Sequence, residues 1–318
     1  MTIILVLVLP GWTFAAEYIR IASFNIAEFG EGNHPATRDL SAIAHMLVDN
    51  ELDLIAVQEV GTIDVAEDQV AALTDTMNAL TPVNEPDYFF VITPQSGDER
   101  YAAIYRDPVI YDDEVWWLEE DRDSNNPKLG GKNFFRIPAA LPFQAGDFDF
   151  VIVPVHLAWG DLGRRKQEIK KLRDFLRGAD QLEGDWIVLG DMNRYGKYKK
   201  TDKKAFDQLL EKDWQERYRF PLLEAITDPH DMKVWIASQD EFSTTVASSR
   251  NIYDQFIITR GVFAELGTGD PEFGVDIGIV AFDMQPPYTT MSHNAIKYTV
   301  SDHRPIWIRF QIDLGDDD

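Results

Sequence analysis

The sequence predicts an α/β protein built of stacked mixed β-sheets with helices on the outside. Three observations predict it. Short runs rich in β-branched and aromatic residues recur along the chain, as buried strands require. Between some of them lie longer stretches whose apolar residues are spaced three and four apart, the stripe of a helix packed on a sheet. Elsewhere one strand-like run follows another with no helix between them, so the strands do not simply alternate with helices.

In chain order, the first strand is Tyr18–Asn25, and a helix over Ala36–Asn50 follows, with Leu40, Ile43, Ala44 and Leu47 on its apolar face. Leu54–Gln58 is the second strand and Glu67–Leu80 the second helix. Phe89–Thr93 and Ala102–Arg106 are strands in direct succession, and so are Phe134–Phe143 and Phe148–His156. A helix over Arg164–Arg177 presents Ile169, Leu172, Phe175 and Leu176. Strand Trp186–Gly190, helix Asp202–Lys212 and strands Tyr253–Thr259 and Pro305–Gln311 complete the set.

A chain of 318 residues, 45% hydrophobic with eight Trp and nineteen Phe, can bury a large core. It has no internal repeat, low-complexity tract or Pro/Ser-rich linker, so residues 17–314 read as a single domain. The last four residues, 315–318, form a short acidic tail. Residues 1–16 read as a signal peptide: Ile3 to Leu9 is an apolar run of seven, Pro10-Gly11 breaks it, and Ala15-Ala16 offers a cleavage site. That predicts a secreted or periplasmic protein. The run is too short to span a bilayer, and no stable membrane association is expected.

The absence of cysteine excludes disulfides, thiolate metal sites and a cysteine nucleophile. A formal charge of −24 opposes indiscriminate adhesion to nucleic acid at low salt. The charge is unevenly spread, however. Residues 160–204 hold 13 Lys+Arg against 8 Asp+Glu, a local +5. No obligate protein partner is evident.

Polar residues recur where strands end. Asn25 closes IASFN, Glu59 follows LIAVQ, His156 closes VIVPV, Asp191 and Asn193 follow WIVLG, and Asp302-His303 precede RPIWIRF. Any one alone is a cap or a site residue. Several together, all carboxylate, amide or imidazole, fit a cleft built from clustered strand ends. Such an oxygen-rich set suits Mg²⁺ or Mn²⁺, with Ca²⁺ as a second or structural ion. Glu59, Asp191 and Asp302 are the candidate ligands, with Asn25 and Asn193 in support. His156 and His303 are candidates for moving protons near neutral pH. His34, His45, His230 and His293 read as surface or satisfied histidines. A catalytic imidazole needs a carboxylate to orient it, and Glu99 and Asp254 are available.

The order and rough spacing of FN at 24–25, QE at 58–59, GDMN at 190–193, YDQF at 253–256 and SDH at 301–303 resemble the endonuclease/exonuclease/phosphatase superfamily. ERYAAIYR at 99–106 and FFRIP at 134–138 look most like its deoxyribonuclease I branch. The resemblance implies a four-layer α/β/β/α sandwich that hydrolyses phosphate esters with a divalent metal. It also implies roles. Glu59 and Asp302 would hold the metal with Asn25 close by. Glu99 would orient His156 and Asp254 would orient His303. Asp191 and Asn193 would meet the phosphate or a second metal, and Arg136 would grip a backbone phosphate. One position departs from the pattern: Gly97 stands where the branch has a DNA-contacting tyrosine.

Arg194, Lys197, Lys199 and Lys200 follow GDMN directly, with Lys203 and Lys204 beyond and Tyr195 and Tyr198 interleaved. They form either a solvated loop or a cationic wall for the phosphates next to the scissile one, with tyrosines to stack on bases. The expected activity is a metal-dependent endonuclease acting on nucleic acid, DNA rather than RNA. The alternative is a phosphatase or phosphodiesterase for small-molecule or lipid esters, of inositol phosphate or sphingomyelin type. A binding protein that kept the fold and lost the chemistry is the third reading.

Overall fold

The computed structural model describes residues 17–31, 38–119, 132–179, 184–193, 218–226, 239–246, 251–266 and 270–314. Two mixed sheets stack face to face with helices outside them. The first sheet runs β12-β13-β1-β2-β4-β3, and the second β10-β11-β9-β8-β7-β5 with β6 paired to β7. In the first, the strands are β1 (Tyr18–Phe29), β2 (Leu54–Val60), β3 (Tyr88–Ile92), β4 (Arg100–Arg106), β12 (Ile277–Ile279) and β13 (Ile306–Gln311). In the second they are β5 (Val109–Tyr111), β6 (Trp116–Trp117), β7 (Ala139–Ala145), β8 (Phe148–His156), β9 (Trp186–Asp191), β10 (Tyr218–Arg219) and β11 (Asp254–Thr259).

Period-two alternation decides which residues face which layer. On β1, Ile19 and Ile21 join the core between the sheets, while Ala22 and Phe24 join the layer under the helices. Leu54 and Ala56 of β2 split from Ile55 and Val57 in the same way. Helices α1 (Leu40–Asp49) and α2 (Asp64–Leu80) cover the first sheet through Ile43, Leu47, Val70 and Met77. Helix α3 (Leu162–Ala179) covers the second through Ile169, Leu172 and Leu176. Helices α4 (Pro221–Ile226) and α5 (His293–Thr299) are short. Among the described residues, no helix is long and apolar enough to cross a membrane.

Most expected elements are present with shifted ends. The strand expected over 134–143 is not. Its ladder begins only at Ala139. Upstream, side chains capture the backbone donors: Phe134 N–H donates to Glu119 at 3.1 Å, Phe135 N–H to Glu168 at 3.0 Å, and Ile137 N–H to Ser96 Oγ at 2.6 Å. Pro138 has no N–H to give. The segment is therefore a loop, and it carries Arg136. Of the first expected helix, residues 36 and 37 lie outside the described residues, and the whole helix expected over 202–212 does too.

Two parallel pairings position the site. β1 pairs β2, and β8 pairs β9, with all other neighbours antiparallel. In the second sheet the register places His156 opposite Asp191, and Asp191 opposite Asp254. One row across three adjacent strands thus holds an imidazole and two carboxylates.

Candidate active site

The facing ends of the two sheets enclose a cavity of about 700 Å³. From the first sheet come Asn25 and Glu59. Strand β1 bulges between Asn25 and Phe29, with positive φ at Ala27 and Glu28, and β2 bulges with Glu59 at φ 61°. A bulge re-aims side chains at a strand end. Asn25 Nδ2 donates to Glu59 Oε1 at 2.9 Å and to Asp191 Oδ2 at 3.2 Å, so one amide joins the two sheets. Its Oδ1 accepts from Ala27 N–H at 3.0 Å, and Glu59 Oε2 accepts from Glu28 N–H at 2.9 Å.

From the second sheet come His156, Asp191 and Asp254. His156 Nδ1 lies 2.9 Å from both Glu99 oxygens. His303, just before β13, has Nδ1 2.8 Å from Asp254 Oδ2. The remaining ring nitrogens converge: His156 Nε2 is 3.7 Å and His303 Nε2 3.6 Å from the same atom, Asp191 Oδ2. Asn193, at φ 48°, donates its N–H to Asp191 Oδ1 at 2.7 Å and its Nδ2 to the Leu157 carbonyl at 2.8 Å, locking the ends of β8 and β9. Ser301 Oγ donates to the Asn25 carbonyl at 2.7 Å and accepts from His303 N–H at 3.0 Å, which ties the last site segment to β1.

The two imidazoles sit in opposite fields. Burial, then the Arg136 guanidinium, pushes His156 down to about 4, so its ring is neutral near pH 7. Burial also pushes Glu99 up to about 8 against the pull of Arg136. For His303 burial opposes charge, but Asp254 and Asp191 outweigh it and raise the ring well above its ordinary value. Asp191 itself is raised by burial.

Among the described residues, two permanent cations line the cavity. Arg136 Nε is 2.7 Å from Asp98 and 3.0 Å from Glu99. Lys297 Nζ, from α5, is 3.2 Å from Glu28 and 3.5 Å from Asp302. Against them stand seven Asp and Glu side chains, an excess that bars an anionic ester from entering uncompensated. The crowding is felt at Glu31, raised first by burial and then by Asp98, Glu99, Glu28 and Glu59.

That chemistry fits a hard divalent cation. Among the described residues, no group of three His, Asp or Glu side chains is arranged to hold a metal ion by itself. Glu59 and Asp302 both line the cavity, and Mg²⁺ bound through one or two carboxylates keeps room for water and phosphate oxygens.

Of the residues expected from the sequence, Glu59, Glu99, Arg136, His156, Asp191, Asn193, Asp302 and His303 line the cavity, with Asn25 and Asp254 hydrogen-bonded behind them. Arg194, Lys197, Lys199 and Lys200 lie outside the described residues. His293, read as a surface or satisfied histidine, lies in the cavity wall. Glu28, Asp98, Trp159 and Lys297 also line it and had no strand-end signal, and Tyr253, the first residue of an expected strand, lines it as well. A glycine suits position 97: at φ 67°, a Cβ there would lie 2.5 Å from the Phe135 carbonyl oxygen, so the Arg136 loop fills the space a larger side chain would need.

A family model of the endonuclease/exonuclease/phosphatase family matches residues 22–303. No curated protein matches the sequence. Solved structures share the fold. A Bacteroides thetaiotaomicron protein of that family is 15% identical with a TM-score of 0.60, covering 95% of this chain and 100% of its own. A mannosyl-6-phosphatase of the same bacterium is 14% identical with a TM-score of 0.56, covering 92% and 99%. Truncated Caenorhabditis elegans TDP2 is likewise 14% identical at 0.56, covering 92% and 97%. The span of the family match, over an α/β sandwich whose strand ends gather two histidine–carboxylate pairs, places the chain in the endonuclease/exonuclease/phosphatase family of phosphoester hydrolases.

Proposed function

We propose that the chain is an exported, Mg²⁺-dependent phosphodiesterase that cuts nucleic acid internally, DNA in preference to RNA. The observation that carries the hydrolytic part is the convergence of His156 Nε2 and His303 Nε2 on Asp191 Oδ2, each ring held from behind by its own carboxylate. With Glu99 ionised, Nδ1–H of His156 donates to it and the neutral Nε2 faces the cavity as a proton acceptor for water. The charged His303 faces it as a donor toward a leaving oxygen and as a partner for phosphoryl charge. Arg136 holds an oxygen of the ester on the Glu99 side. Asn25, Glu59 and Asp302 would hold the metal, which polarises the phosphoryl oxygen and steadies the leaving oxygen when bound. Asp191 and Asn193 meet the phosphate beside it.

Nucleic acid as substrate is supported by the basic stretch from Arg194 to Lys204, which directly follows Asn193. Residues 1–16 support export. A second reading, hydrolysis of a small phosphate ester, is favoured by the acidic wall of Glu28, Glu31 and Asp98, which opposes a long polyanion.

The test is Mg²⁺-dependent nicking of supercoiled plasmid, run beside hydrolysis of mannose 6-phosphate and an inositol phosphate. Nicking by the wild type is expected, with His156→Ala and His303→Ala each slowing it by roughly 10²- to 10⁴-fold. Near-normal rates in both variants would overturn the assigned roles. Monoester hydrolysis without nicking would move the chain to the second reading.

A further inference from the structure

The loop after β8 carries a tryptophan, Trp159, that is 68% exposed and lines the cavity. A lone exposed apolar side chain on open surface would carry no meaning. Trp159 differs because the backbone around it is pinned. Ala158 N–H donates to Glu168 at 2.6 Å and the Ala158 carbonyl accepts from Arg165 at 2.8 Å. Both partners are buried, Arg165 at 0% and Glu168 at 1% exposure. On the other side, Asp161 N–H donates to the Trp159 carbonyl at 2.9 Å, while the Asp161 side chain accepts from Gly163 and Arg164 N–H, both at 2.9 Å, at the start of α3. Glu168 also accepts from Phe135 N–H, so one buried carboxylate fixes the Trp159 loop and the Arg136 loop together.

A rigid backbone that holds an indole in water at the mouth of a phosphate-ester cavity is a preorganised stacking surface. Its ordering cost is met before any ligand arrives. The polar lining supplies contacts for phosphate, but the rest of the substrate needs an apolar face, and the exposed indole offers one. We propose that Trp159 is the platform for a nucleobase next to the scissile phosphate, a specificity-determining residue of the site. This rests on the phosphodiesterase reading above. Arg165 and Glu168 act as positioning residues behind it.

The experiment compares a dithymidine phosphodiester with the same diester lacking both bases, using wild type, Trp159→Ala and Trp159→Phe. Calorimetric binding of both esters and of mannose 6-phosphate is measured in a His303→Ala background with and without Trp159→Ala. In the alanine variant KM for the dithymidine ester is expected to rise roughly 5- to 150-fold, the worth of one base–aromatic stack. Turnover should stay within about twofold and the baseless ester should be unaffected, the signature of a lost uniform binding contact. Phenylalanine should restore most of the affinity. An unmoved KM, or an equal rise for both esters, would overturn the assignment. So would weakened mannose 6-phosphate binding with dithymidine binding unchanged, which would make the platform one for sugars. If the wild type turns over neither ester, the hydrolytic reading fails, and the calorimetry alone then decides the role of Trp159.

Discussion

His156 and His303 point the same way and carry different charge. The difference comes from their company: burial and the Arg136 guanidinium hold His156 down, while Asp254 and Asp191 outweigh burial around His303. It predicts the shape of the pH profile. His303 keeps its proton through neutral pH and loses it only well above its ordinary value, so kcat/KM should fall on the alkaline side. Asp254→Asn removes a negative partner, weakens the hold on that proton, and should move the alkaline limb to lower pH. A limb that stays in place would assign it to another group. At this scale the sequence was informative where a polar residue broke an apolar strand. It was silent on Glu28 and Lys297, because a bulge and a short helix bring them in. The pairs themselves span 57 and 49 positions, and spacing alone does not join them.

Loops and strands divide differently from what β propensity alone implies. FFRIP has the composition of a strand, yet Glu119, Glu168 and Ser96 take its backbone donors before a neighbouring strand does. Propensity describes a half-buried pleat and cannot foresee a carboxylate from a distant helix. The loop then passes within contact of Gly97, and the two hold Arg136 and Asp98 together at 2.7 Å. Gly97→Ala meets both the positive φ and the Phe135 carbonyl. The left-handed conformation alone costs about 1–2 kcal/mol for a residue with a Cβ. The variant should melt at a lower temperature and bind phosphate esters less well, because the Arg136 loop must retreat. Unchanged melting, followed by circular dichroism, would mean that the loop moves aside without cost. Strands such as Trp186–Asp191 were legible because they are buried on both faces and read as unbroken apolar runs. The two- and three-residue strands β5, β6, β10 and β12 carry too few residues to show a period.

Across the whole molecule, the layered architecture followed from the succession of strands and helices, while the stacking of one sheet's ends against the other's did not. Charge is the other global property. A protein of net charge −24 gathers a local +5 over residues 160–204. Changing Lys197, Lys199, Lys200 and Lys203 together to Gln should weaken binding to long DNA and flatten its dependence on salt. Each lost contact to duplex phosphate removes about 0.9 from the slope of log K against log salt. Hydrolysis of a nitrophenyl phosphate diester should barely change, since flanking cations position a backbone and take no part in bond breaking. An equal loss on both substrates would place the lysines in the reacting centre.

The row His156, Asp191 and Asp254 crosses β8, β9 and β11, in the interior of the second sheet. Backbone hydrogen bonds of interior strands open to exchange with solvent only when most of the chain opens with them, whereas frayed ends and surface loops open far more readily. The row sits at the ends of these strands, but backbone bonds carry the pairing past it: Leu157 N–H donates to the Asp191 carbonyl and Met192 N–H to the Tyr253 carbonyl, both at 2.9 Å. Amides flanking the row are therefore expected to exchange with solvent more slowly than those of the surface loops.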